Sequence, residues 1–254
     1  METRRFDFMP ELDDPDLIHD LYLSTIPTAA AVGRIREARR LAQELDEHVT
    51  DLTTHHRLHG IACILEVEEL AGNWDAVAAL EPRTEQLVDE NRGTPCVRNA
   101  RSLLLCAFAN ELQGKSDRAR ELEAAAEELQ NVGYGATLAT PRARLALQRQ
   151  QLDRVEELLA DEDWLQRQTW FSLPAAATRL DAAAVIGSAA DVEAAAEVLC
   201  RPHSYLEPFA MRALAIVRED EPLLAQADQR FRALKLDWHA AQTASYIRLR
   251  KTAV

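Results

Sequence analysis

Three histidines within five residues, His55, His56 and His59, form the densest group of metal-type side chains in the sequence. A helix would place His55 and His59, four apart, on one face, as paired imidazoles on zinc require. No glutamate follows His55 directly, as a helical metalloprotease needs, and no third ligand is evident. Glu66 falls on roughly the same face two turns later. The cluster therefore reads as a polar first helical turn, with no metal and no cofactor. Gly114-Lys115-Ser116 imitates the end of a phosphate-binding loop. The position of that motif's first glycine holds Ala109, inside a helical stretch, so a turn explains it. Cys96 stands in an expected first helical turn beside Arg98, where the helix dipole would lower a thiol pKa. It nevertheless reads as a structural free cysteine, and Cys63 and Cys106 read as core. Gly133-Tyr134-Gly135 lacks the third glycine of a dinucleotide loop. The pair Glu127-Glu128 is an ordinary solvated face. With neither G-x-S-x-G nor H-E-x-x-H present, the sequence offers no catalytic residues and reads as a non-enzyme.

The elements that carry these residues show in the glycines. Gly33, Gly72, Gly114 and Gly187 are each followed five residues on by Ala38, Val77, Ala119 or Val192. Eight residues on stand Leu41, Leu80, Leu122 or Ala195. Degenerate copies start at Gln150 and Glu219. The intervals of 32 to 42 residues suit helical-hairpin repeats. Glycine ends one helix in the left-handed conformation, and the small residue lets the next helix pack closely. Pro15, Pro95, Pro141, Pro174 and Pro222 fit first helical turns, with Thr94 and Thr140 as caps. Pro27 and Pro82 should bend or shorten their helices.

The fold expected is all-α: a tetratricopeptide-like α-solenoid of about six helical hairpins plus a C-terminal helix. The hairpins are 14–30 with 34–48, 53–71 with 74–91, 95–113 with 116–131, 141–149 with 152–161, 174–186 with 190–200, and 205–217 with 221–233. The last helix covers 238–250. Residues 1–13 form a tail and 14–250 one domain. Segments 131–139 and 161–172 fit the repeat badly and are expected as ordered loops, since Tyr134, Trp164, Trp170 and Phe171 are costly to leave in water. With no polar cap before the first hairpin, an end surface open to a partner is expected.

A formal net charge of −13 argues against nucleic acid and anionic membrane surfaces. The most apolar run, Leu103 to Ala109, is too short for a bilayer, and the first residues lack a signal-peptide core. The expected location is cytoplasmic. Four cysteines without C-x-x-C spacing imply no disulfide framework.

The order of LTTHHRLHG, EELAGNWDAV, TPCVRNARSLLLCAFA, TPRARLAL, SYLEPFAMRAL and RFRALKLDWHAAQT resembles the C-terminal tetratricopeptide-like region of bacterial, typically actinobacterial, adenylate/guanylate cyclases and related ATPase signalling regulators. It covers about residues 12–247. The catalytic domain of that family, with its paired metal-binding aspartates, has no counterpart here. The resemblance implies the regulatory, protein-contacting half alone.

In solenoids of this kind the first helices line the concave surface. Arg98, Asn99, Arg101, Asn110, Arg142, Arg144 and Arg179 are then the expected partner-binding residues, a basic groove suited to an acidic peptide or carboxylate. The expected function is a non-catalytic protein-interaction or regulatory scaffold of a bacterial signalling system. The alternatives are a small-molecule or peptide effector sensor with a closed cavity near Tyr134, Trp164 or Trp170, and a metal-dependent enzyme using His55 and His59.

Overall fold

The computed structural model describes residues 12–129, 131, 133–160 and 171–252, with side chains to 246. These residues form thirteen α-helices and no strand. They are α1 (Pro15–Ala31), α2 (Ile35–His48), α3 (Thr54–Ala71), α4 (Trp74–Glu90), α5 (Val97–Leu112), α6 (Ser116–Glu128) and α7 (Gly135–Gln148). Then follow α8 (Leu152–Leu158), α9 (Ser172–Ile186), α10 (Ala189–Leu199), α11 (Glu207–Val217), α12 (Glu221–Ala233) and α13 (Asp237–Thr252). Among the described residues no helix is long and apolar enough to cross a membrane.

Each hairpin turn is built on one device. Gly33, Gly72, Gly114 and Gly187 have φ between 71° and 86°, and Gln150 and Glu219 adopt the same region at 59° and 56°. At each turn the following N–H reaches back five residues, as from Arg34 to the Ala29 carbonyl, Gln151 to Ala146 and Asp220 to Ala215. This is the Schellman closure of a helix C-terminus. The degenerate repeats therefore keep the backbone while having lost the glycine. A further copy, Lys235 at φ 62°, joins α12 to α13.

Four sequence expectations need correction. Pro141 lies inside α7 rather than at its start, because the helix begins at Gly135 within the segment expected as loop. Burying Leu138 completely draws that extra turn into helical form. Thr140 is accordingly no cap. Cys96, not Thr94, is the cap residue of α5, and its side chain makes no capping bond. Both α1 and α4 continue past Pro27 and Pro82 to their own turns, so neither proline shortens its helix. Trp164 and Trp170 lie outside the described residues.

The helices do not leave an open end at the first hairpin. The C-terminal part packs back on it, and one apolar core holds Tyr22, Ile26, Leu41 and Leu45 together with Leu180, Phe209, Phe231 and Leu236. The Tyr205 N–H donates to the Ala31 carbonyl at 3.1 Å. A Cβ added at Gly33 would stand 2.8 Å from Leu234, and one at Gly72 would stand 2.9 Å from the Trp238 Cβ. The first two turn glycines thus accept both a positive φ and a neighbour from the far end of the chain. A second core gathers Leu58, Leu65, Trp74, Leu104, Phe108 and Leu122.

Candidate functional site

The inward faces of the odd-numbered helices carry a ladder of ion pairs. Helix α3 presents Glu66 and Glu69, one turn apart, and α5 presents Arg98 and Arg101 at the same spacing. Arg98 donates to both Glu66 oxygens at 2.9 and 3.2 Å. Arg101 Nη2 donates to Glu69 Oε2. From α7, Arg144 adds a second bond to Glu69 at 2.7 Å and reaches Thr178 Oγ1 of α9 at 2.8 Å. Arg212 of α11 binds both oxygens of Asp181 on α9 at 2.6 and 2.8 Å. Its other terminal nitrogen contacts the His239 carbonyl and Thr243 Oγ1 of α13, at 3.2 and 3.3 Å.

These groups sit deep. Glu69 is 0% exposed, and Arg101 and Arg212 are each 1% exposed. Phe171 lies 4.3 Å from the Arg101 guanidinium carbon, and Phe231 lies 4.8 Å from that of Arg212. The ring faces offset part of the desolvation of each cation. Polar satisfaction is nevertheless incomplete, because Arg101 Nε and Nη1 and Arg212 Nε are buried without a hydrogen-bond partner. Four guanidiniums, of Arg98, Arg101, Arg144 and Arg212, meet three carboxylates, of Glu66, Glu69 and Asp181. The ladder keeps one positive charge in excess, inside a chain of net charge −13.

Beside this ladder a cleft of about 200 Å³ opens between α5, α7, α9, α11 and α13. Arg144, Asp181 and Arg212 supply its charged wall; Phe108, Trp238 and Tyr246 its aromatic wall; Gln148 and Gln242 its amides. Arg144 uses Nε and Nη1 in its bonds to Thr178 and Glu69, and among the described residues Nη2 has no hydrogen-bond partner. Burial raises the Tyr246 phenol above its ordinary value, so that hydroxyl is a hydrogen-bond donor at neutral pH. The combination can orient an anionic group and stack a flat one.

Of the seven residues expected to bind a partner, the structure brings Arg98, Arg101 and Arg144 together, on the ladder. Arg98 and Arg101 are buried rather than open to a groove. Asn99 is also buried, accepting from Asn91 and donating to the Thr94 carbonyl. Asn110 is buried and bonds Glu81 and the Cys106 carbonyl. Arg142 pairs with Glu127 on a different face, and Arg179 Nη1 donates to the Leu159 carbonyl at 2.7 Å. An inward helix face needs its polar groups paired within the protein, and four of the seven serve packing in this way. The residues missed from sequence are Glu69, Asp181, Arg212, Trp238, Gln242 and Tyr246. A detectable signal existed in the separations: the bonded partners Glu69 and Arg101, Arg144 and Thr178, and Asp181 and Arg212 stand 32, 34 and 31 residues apart, close to one repeat.

Cys96 is a free, half-buried cysteine, in keeping with its structural reading. Burial raises its thiol pKa, outweighing the lowering by the Arg98 backbone and guanidinium. Burial likewise pushes the Cys63 and Cys106 thiols up to about 12, as core cysteines. Compared with family models, curated proteins and solved structures, the chain gives no match.

Proposed function

We propose that this chain is a non-catalytic binding module of a regulatory system. Its ligand carries a carboxylate or similar anionic group, free or on a peptide, and enters the cleft between α7, α9, α11 and α13. The observation that carries this reading is the excess guanidinium charge of the ladder on the wall of an open, partly aromatic cleft. A buried unbalanced charge is costly, and an anion at Arg144 Nη2 would balance it. The ligand then bridges hairpins four, five and six with the last helix, so binding would change how firmly those elements hold together. That is the behaviour expected of the regulatory half of a signalling protein, the part the sequence resembles.

The test is a thermal-shift screen of aliphatic, aromatic and amino-acid carboxylates and short acidic peptides, with matched amides as controls. Carboxylates should raise Tm where amides do not. The response should be lost in Gln242→Ala and Tyr246→Ala, which line the cleft and carry no part of the ion-pair ladder. Reversing Arg98 or Arg101 would break buried pairs and report on folding instead. A screen in which amides act as well as acids, or in which the cleft variants respond like wild type, sinks the reading.

A further inference from the structure

A second constellation lies apart from the cleft, where α1, the start of α3 and the cap of α5 meet. His55 and His59 come from α3, Cys96 is the residue capping α5, and His19 comes from α1. One ligand atom from each of His55, His59 and Cys96 lies within 4.8 Å of the others. The third candidate ligand, which the sequence did not reveal, is Cys96, 37 residues from His59. Glu66, the candidate from helical spacing, is instead held by Arg98.

The hydrogen bonds behind the cluster fix which atom of His59 is free. The Asp20 carboxylate accepts from His19 Nδ1, at 3.4 Å. Neutral His19 then carries its lone pair on Nε2, which accepts from the N–H at Nδ1 of His59 at 3.0 Å. His59 Nε2 is left with its lone pair, 3.4 Å from Cys96 Sγ. A carboxylate or imidazole behind a ligating histidine commonly selects its tautomer and orientation in this way. Tetrahedral zinc with Zn–S of about 2.3 Å and Zn–N of about 2.0–2.1 Å sets neighbouring ligand atoms about 3.3–3.6 Å apart. The His59–Cys96 pair already stands at that separation.

The other imidazoles sort themselves. His56 has both nitrogens engaged, Nε2 at 2.9 Å from Asp16 and Nδ1 at 2.8 Å from Thr53 Oγ1, and is no ligand. His55 Nδ1 is buried with no hydrogen-bond partner, and its ring centroid lies 4.3 Å from that of His59. Arg98, whose charge acts on all three side chains, is balanced by Glu66. Two imidazoles and a thiolate suit zinc-class ions rather than magnesium or calcium.

We propose that His55, His59 and Cys96 bind a zinc-class transition-metal ion that fastens the start of α3 to the cap of α5, with His19 and Asp20 orienting His59. Binding releases the Cys96 thiol proton to solvent, and the fourth position takes water or an outside ligand. The site stands independently of the cleft and its ligand.

The test is titration of chelator-treated full-length protein with Co²⁺ under reducing, anaerobic conditions. One equivalent should produce the intense visible bands of tetrahedral cobalt and a near-ultraviolet thiolate-to-cobalt band, both removed by Zn²⁺. Cys96→Ser should abolish the thiolate band, and Cys200→Ser should leave it intact. His55→Gln and His19→Gln should each weaken binding by about 10-fold or more. As a check that needs no variant, Zn²⁺ should protect Cys96 of the wild-type protein from iodoacetamide, read by mass spectrometry. Absence of the thiolate band in wild type, equal spectra for the Cys96 and Cys200 variants, or Cys96 alkylation unaffected by Zn²⁺ would each overturn the site and leave an S–H to imidazole hydrogen bond in its place.

Discussion

The Tyr205 hydroxyl donates to the Leu70 carbonyl at 2.9 Å, joining residues 135 apart in sequence. Leu70 belongs to the last turn of α3, where helical carbonyls lack intrahelical partners. Tyr205 is fully buried between the first hairpins and α11, and its ring packs 5.0 Å from Phe209. This one bond shows how the two ends of the chain are held in register.

Tyr205→Phe should therefore cost about 1 kcal/mol, because it removes a buried donor to the Leu70 carbonyl. Tyr205→Ala should cost about 3–5 kcal/mol by adding a cavity. Urea denaturation followed by circular dichroism measures both. Equal midpoints for wild type and the phenylalanine variant would show that the bond contributes nothing net.

Glu69 is the hub of the ladder, accepting from Arg101 and Arg144. Glu69→Gln keeps the shape and removes the charge, leaving two guanidiniums without their shared carboxylate. The expected loss is about 3–5 kcal/mol. Glu37→Gln, at a surface pair with Arg34, should change stability by less than about 1 kcal/mol. Similar losses for the two would contradict the burial argument.

Gln150 and Glu219 hold left-handed backbone without being glycine. The conformation costs an ordinary residue about 1–2 kcal/mol, part of which glycine gives back through its more flexible unfolded chain. Gln150→Gly and Glu219→Gly should each stabilise by about 0.5–1 kcal/mol and add where combined. Calorimetric Tm values decide this, and a lowered Tm would mean that the native side chains make compensating contacts.

His239 is held well below the ordinary imidazole value by burial first, then by Arg212 and Arg144. Phe209, Phe231 and Trp238 surround its ring. The unfolded chain takes up a proton near pH 6.5 that the folded state refuses. Stability from this residue is thus complete above about pH 6.5 and declines as pH falls below it. His239→Gln should flatten that part of the urea profile between pH 7.5 and 5. A variant profile parallel to wild type would assign the acid sensitivity elsewhere.

The sequence alone determined the helices and where they turn. A left-handed C-cap and a small residue five positions on are local requirements of a helix end, so Gly33, Gly72, Gly114 and Gly187 announce them without reference to the rest of the chain. Even Gln150 and Glu219 were visible through the residues that follow them. The start of α7 was missed because Gly135 and Thr137 are poor helix formers and only the burial of Leu138 makes helix the better choice. What tertiary structure decided is which inward polar groups meet. Arg101 looks like Arg142 in sequence, yet one is sealed against Glu69 and Phe171 while the other pairs with Glu127 on another face. Cys96 became a companion of His59 only when α5 was set against α3. Such meetings depend on how one helix rotates and leans against another, and the free energy that sets this is summed over the whole apolar core rather than written in any single segment.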